Sequence, residues 1–172
     1  NAGHQNLAEG ESHTETFKVT VTDDKGATST QDVLITINGT NDAPVITSDA
    51  QAGTVKEDSS LTATGQVTSS DVDHGATAAY SGNATGTYGS FAIDAKTGAW
   101  TYTLDNAGHQ NLAEGESHTE TFKVTVTDDK GATSTQDVVI TINGTNDAPV
   151  ITSEAQTGSV KEDATLTATG AD

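Results

Sequence analysis

The sequence predicts an all-β chain of tandem seven-stranded Greek-key β-sandwiches, and three observations carry that prediction. Apolar residues alternate with Thr and Ser at a period of two in several short runs, while no segment of ten or more residues shows an apolar stripe at the helical period. Turns ending on Gly punctuate these runs. The chain also repeats itself: residues 1–67 align without a gap on 106–172, an offset of 105 residues, with 59 identities in 67 positions. A unit of that length exceeds a helical solenoid repeat and fits a self-contained sandwich domain.

The string "TINGTNDAPVIT", at 36–47 and again at 141–152, marks the junction between units. One complete repeat then runs over 43–147. Residues 1–42 supply the C-terminal part of a preceding repeat, and 148–172 the N-terminal part of the following one. The expected organisation is beads on a string, and near-identical neighbours suit a spacer better than a catalyst.

Pro44 stands second in the complete unit and with Pro149 makes up the chain's proline; each follows "NDA". Proline restricts its own φ and biases the preceding residue to extended conformations, so the Asp-bearing linker reads as a stiffened joint. In "LTATGQV", Leu61, Ala63 and Val67 alternate with Thr62, Thr64 and Gln66. "DAKTG" at 94–98 is a hairpin turn, and "WTYTLD" follows with Trp100, Tyr102 and Leu104 on one face. In "TETFKVTVTDDKG" Phe122, Val124 and Val126 face the core, with "DDKG" at 128–131 as the turn. "DVVITIN" completes the unit with Val138, Ile140 and Ile142 on one face.

Composition narrows the function. Seven basic residues oppose twenty-five acidic ones, for a formal charge of −18. Such a surface argues against nucleic acid and anionic lipid and for bound cations, because dense carboxylates repel until something neutralises them. The chain has no cysteine, which excludes a disulfide framework and thiolate metal sites. No apolar run reaches the length of a membrane span, so no direct membrane insertion is expected. Nor does the chain open on the basic and apolar regions of a signal peptide.

The acids are placed unevenly. Asp71 and Asp73 follow the second strand, Asp128 and Asp129 occupy the last hairpin, and Asn41 and Asp42 lie in the linker; a Greek-key sandwich can gather all three groups at its leading end. Glu57, Asp58 and Asp105 then fall at the trailing end, near Asn146 and Asp147. A hard divalent cation such as Ca²⁺ takes roughly six to eight oxygen ligands, and each junction offers that chemistry. Asp128 has a second reading as a turn former, the Asp71–Asp73 pair as a solvated loop, and Glu57 and Asp58 as charges that keep an edge strand from aggregating.

The ordered series "DVDHG…YSG…FAIDAKTGAW…YTLD…FKVTVTDDKG…VVITINGTNDAPVI" resembles a cadherin-like domain. Within that group it is similar to the VCBS-type repeats that form extender arrays of giant bacterial RTX adhesins. The resemblance implies that Asp71, Asp73, Asp128, Asn41 and Asp42 hold Ca²⁺ at the top of the domain, with Glu57 and Asp105 serving the bottom. It also implies an extracellular, cell-surface setting in which neighbouring repeats of the same chain are the main partners. Two departures stand out. Ala107 occupies the position of the second acid of the cadherin "LDRE" element, so that ligand is missing unless Glu114 or Glu116 replaces it. The linker, Asn-Asp-Ala-Pro, is one residue shorter than in cadherins.

No zinc spacing surrounds His4, His13, His74, His109 or His118. The sequons at Asn38, Asn83 and Asn143 are pattern matches only. No nucleophile elbow, P-loop or HExxH motif is present, so an enzyme is not expected. The function expected is that of a Ca²⁺-stiffened extender projecting a distal binding domain. Its rivals are a ligand-binding module presenting Tyr80, Tyr88, Trp100 and Tyr102, and a fibre subunit that completes its partial repeats in neighbouring molecules.

Overall fold

A computed structural model describes residues 5–163 of the chain. Its strands are β1 (Ser12–Thr22), β2 (Thr28–Asn38), β3 (Val45–Ile46), β4 (Gln51–Lys56), β5 (Thr62–Gln66) and β6 (Ser69–Ser70). They continue with β7 (Ala79–Ser81), β8 (Ala84–Thr85), β9 (Gly89–Ile93), β10 (Ala99–Leu104), β11 (Ser117–Thr127) and β12 (Thr133–Asn143), and no helix occurs among the described residues. From β3 onward they build a two-sheet sandwich, one sheet ordered β5-β10-β9-β8 and the other β4-β12-β11-β7.

From β3 to β12 there are ten strands rather than the seven expected, because the first strand is broken into β3 and β4 and the short strands β6, β7 and β8 add to the count. β3 pairs antiparallel with β6 in a small two-stranded sheet, and after residues 47–50 the chain enters a four-stranded sheet, where β4 runs parallel to β12. Strands of two or three residues, such as β7 and β8, are too short to show a period in a sequence.

The alternation predicted for the long strands holds. Trp100, Tyr102, Leu104, Phe122, Val124, Val126, Val138, Ile140 and Ile142 are buried and form one core with Val55, Val67 and Phe91. Phe91 stacks on Phe122 at 4.9 Å between centroids and on Trp100 at 5.7 Å, in the offset geometry aromatic rings prefer. Leu61 departs from expectation at 38 % exposure. It lies before β5, beyond the ladder, and its carbonyl accepts from the Leu104 amide. The core column of that strand is instead Ala63, Gly65 and Val67. Glycine at 65 has a steric reason: a Cβ there would sit 2.5 Å from Trp100 Cζ2. The indole N–H donates to Gln51 Oε1 at 2.9 Å, so the largest core side chain leaves no buried donor unpaired.

Both predicted turns close on a left-handed glycine, Gly98 with φ 69° and Gly131 with φ 93°. The β1–β2 hairpin lies 105 residues before β11–β12 and pairs in the same register, Phe17 opposite Val33 as Phe122 is opposite Val138.

Candidate metal centre at the repeat junction

The turns and linker place five acids and amides at the leading end of the sandwich. Asp128 opens the β11–β12 turn, where its Oδ1 accepts the backbone N–H groups of Lys130 and Ala132, both at 2.8 Å. Its Oδ2 accepts from the Asn41 side-chain amide at 2.9 Å. The carboxylate thus forms the turn with one oxygen and grips the linker with the other. These bonds, that of Asn41 foremost, hold its pKa below the ordinary Asp value. The other pair sits on the turn after β6. Asp71 Oδ1 accepts from the Asp73 backbone N–H at 3.0 Å, and Asp73 Oδ2 accepts from that of Asp42 at 2.8 Å. The linker residues Asn41 and Asp42 are therefore each fastened to a different acid of the sandwich.

The remaining oxygens are the informative ones. Asp73 is only 7 % exposed, and neither its Oδ1 nor Asp71 Oδ2 has a hydrogen-bond partner although both atoms are buried. Buried carboxylate oxygens are normally satisfied, since leaving a charged acceptor dry and unpaired costs several kcal/mol.

At the trailing end Glu57 repeats the pattern. It is fully buried; Oε2 accepts from the Thr145 backbone N–H at 3.2 Å and Oε1 has no partner. That burial removes the reading of Glu57 as a surface charge on an edge strand. Asp105 is exposed and its Oδ1 accepts from the Gly108 N–H at 3.2 Å, while Asn146 and Asp147 are exposed in the linker. These three are not drawn together with Glu57 by hydrogen bonds as the leading-end residues are with one another. Among the described residues no three acid or imidazole groups close on a single point as a ready metal cage.

Sequence reasoning missed three features. Asp58, left-handed at φ 56°, is a polar fastening rather than an open acid. Its carboxylate accepts from Asn106 at 2.9 Å, Gln110 at 3.2 Å and the Thr145 hydroxyl at 3.1 Å, pinning the outgoing linker; these bonds, Asn106 first, lower its pKa. Glu120 accepts from the Tyr102 hydroxyl at 2.7 Å, from the Tyr88 N–H at 3.1 Å and from the Thr87 N–H. Burial, then this carboxylate, push the phenol pKa far up. Across the junction, His74 meets Glu11. All three contacts join residues far apart in sequence, and no motif announces them.

A module of this architecture, with acids gathered at the ends of the sandwich, is a cadherin-like class of protein. The sequence pattern of the bacterial cadherin-like domain matches residues 41–144, and the chain belongs to that family. Among solved structures it is similar to the extracellular cadherin domains 1–4 of protocadherin gamma B7, at 16 % identity over 87 % of this chain and 48 % of that one, with a TM-score of 0.49. Mouse cadherin-23 EC22–24 matches at 18 % identity over 75 % of this chain and 41 % of that one, with a TM-score of 0.47. The chain thus spans about half the length of these structures or less. A search of curated proteins finds no match.

Proposed function

We propose that this chain is part of an extracellular spacer, an array of cadherin-like repeats stiffened by Ca²⁺ at its junctions, as in the extender region of a secreted bacterial adhesin. The observation that carries the reading is the set of three buried carboxylate oxygens without partners, Glu57 Oε1, Asp71 Oδ2 and Asp73 Oδ1, at the two ends of a bacterial cadherin-like domain. Hard oxygen donors suit Ca²⁺ and exclude soft-metal chemistry. Asn41, Asp42, Asp71, Asp73 and Asp128 would hold the ion at the leading end, and Glu57, Asp105, Asn146 and Asp147 at the trailing end. Bound there, Ca²⁺ supplies two positive charges and a demand for many oxygens.

The chain's own residues do the rest. Asn41 and Asp42 already tie the linker to Asp128 and Asp73, so the incoming repeat is leashed within a few residues of the acids. Pro44, buried at the start of the sandwich, limits the linker's path. Neighbouring repeats of one chain are the partners, and the setting is the outside of a bacterial cell. Domain limits of 1–42, 43–147 and 148–172 follow from the repeat.

The ligand-binding rival loses its support, because Trp100 and Tyr102 are core residues and Tyr80 is buried. The fibre-subunit rival would use the face of Phe17, Val19 and Val21 on β1, whose counterparts Phe122, Val124 and Val126 are covered by the other strands of their own repeat. A sedimentation coefficient that rises with concentration would favour it, and a constant monomer would dispose of it.

Small-angle X-ray scattering on two or more complete repeats, with Ca²⁺ and after chelation at matched ionic strength, tests the spacer reading. Chelation is expected to broaden the distribution of interdomain distances. Superimposable profiles together with no Ca²⁺ uptake in calorimetry would sink it.

A further inference from the structure

The bacterial repeat lacks one acid, Ala107 standing where the cadherin element carries its second carboxylate, and two glutamates of "LAEGES" were open as replacements. The two copies of that segment discriminate between them. In both, the second glutamate is anchored by the same oxygen: Glu11 Oε2 accepts from the Ala8 N–H at 3.1 Å, and Glu116 Oε2 from the Ala113 N–H at 3.1 Å. The other oxygen differs. Glu116 Oε1 lies 2.9 Å from His118 Nε2 of its own repeat. Glu11 Oε1 reaches across the junction to His74 Nδ1 of the next repeat, at 3.1 Å. One oxygen is therefore fixed by its loop and the other is free to change partner.

The place Glu11 reaches is specific. His74 follows Asp73 directly, on the turn that carries the unpartnered Asp73 Oδ1 and Asp71 Oδ2. The His74 backbone N–H also donates to the Asn6 carbonyl at 3.0 Å, docking the preceding repeat's loop on this turn. Glu9, the other glutamate of that loop, is exposed. Asp73 is more than nine-tenths buried, so the turn presents an unsatisfied carboxylate as well as an acidic sequence.

We propose that Glu11 is a ligand of the junction cation, delivered by the preceding repeat to the Asp71–Asp73 turn, and that Glu116 is its equivalent 105 residues on. His74 holds the side chain when no metal is present. The inference rests on the Ca²⁺ reading above and goes beyond it by naming a ligand outside the positions that the resemblance supplies. It also explains how an array can dispense with the acid at Ala107: the carboxylate comes instead from the loop that leads into β11, and into β1 in the preceding copy.

Calorimetric titration of chelator-stripped 172-residue chain with CaCl₂ tests it, comparing wild type with Glu11→Gln, Glu9→Gln and His74→Ala. Glutamine keeps an acceptor for the Ala8 N–H, so the loop is retained. Loss of one charged ligand is expected to weaken the affected site by at least about tenfold, given how strongly ligand charge tunes Ca²⁺ affinity. Glu9→Gln should bind as wild type does, and His74→Ala no more weakly. An unchanged isotherm for Glu11→Gln overturns the proposal, as does a loss in His74→Ala equal to that in Glu11→Gln, which would make the interdomain contact the cause. A wild type that takes up no Ca²⁺ removes the spacer reading itself, a different result from wild-type binding that Glu11→Gln leaves intact.

Discussion

Single aspartates in this repeat do two kinds of work, and the difference lies in the second oxygen. Asp94 and Asp128 each open a turn by accepting backbone N–H groups on Oδ1: those of Lys96 and Thr97 for Asp94, those of Lys130 and Ala132 for Asp128. Both look alike in sequence, an Asp four or three residues before a Gly, and the turn role was legible for that reason. The bond from Asn41 to Asp128 Oδ2 was not, since it joins residues 87 apart. Asp94 isolates the turn role and makes a pH prediction. Its pKa is lowered by the Thr97 N–H first, then by the Lys96 N–H and the Thr97 hydroxyl. A carboxylate with a folded pKa below its unfolded value adds stability above the unfolded pKa, and that stability fades as pH falls through the folded one. In urea titrations Asp94→Asn should be less stable than wild type near pH 6, and the gap should shrink below about pH 4, the ordinary Asp range. A gap that is the same at both pH values would refute the charge-based account.

At the scale of elements, the chain contains its own control experiment. The β1–β2 and β11–β12 hairpins have the same sequence apart from Leu34 against Val139, and the same register. Their environments are opposite: Phe17 is 51 % exposed and Phe122 6 %, Val21 67 % and Val126 0 %. Hairpin formation is thus written locally, in alternation and a Gly-ended turn, whereas burial depends on strands supplied from elsewhere. That is why these strands, their turns and their core faces were readable in the sequence. The broken first strand and the parallel β4–β12 pairing were not, because they depend on which distant strand offers a free edge. The twins also yield a matched pair of mutations. Phe122→Ala removes a ring packed on Phe91 and Tyr102 and is expected to cost about 3–5 kcal/mol. Phe17→Ala in the same chain should stay within about 0.5 kcal/mol, as for an exposed site. Equal losses in denaturant titrations would mean that the first hairpin is covered in solution.

Across the whole molecule, acids are set at the ends of the sandwich, where three buried carboxylate oxygens have no hydrogen-bond partner, an arrangement that costs stability unless a cation meets them. This gives one substitution opposite effects in two conditions. Asp73→Asn keeps an oxygen acceptor for the Asp42 N–H but removes a buried charge that no ion pair among the described residues neutralises and whose Oδ1 has no hydrogen-bond partner, and relief of such a charge is stabilising. In chelator its thermal midpoint should therefore match or exceed that of wild type. A cation that binds only the folded state adds RT ln(1 + [L]/Kd), about 2.7 kcal/mol at a hundred times Kd. Wild type should accordingly rise in midpoint with each decade of Ca²⁺, and Asp73→Asn, left with the trailing-end acids alone, should rise clearly less, so that the two curves cross. Mg²⁺ at equal ionic strength separates ligation from screening, since it holds its waters more tightly and favours a smaller octahedral shell. If Mg²⁺ raised both proteins as Ca²⁺ raises wild type, the acids would be acting as diffuse charge; a Ca²⁺-selective crossing would mark Asp73 as a ligand whose cost to the empty repeat is what makes the loaded junction stiff.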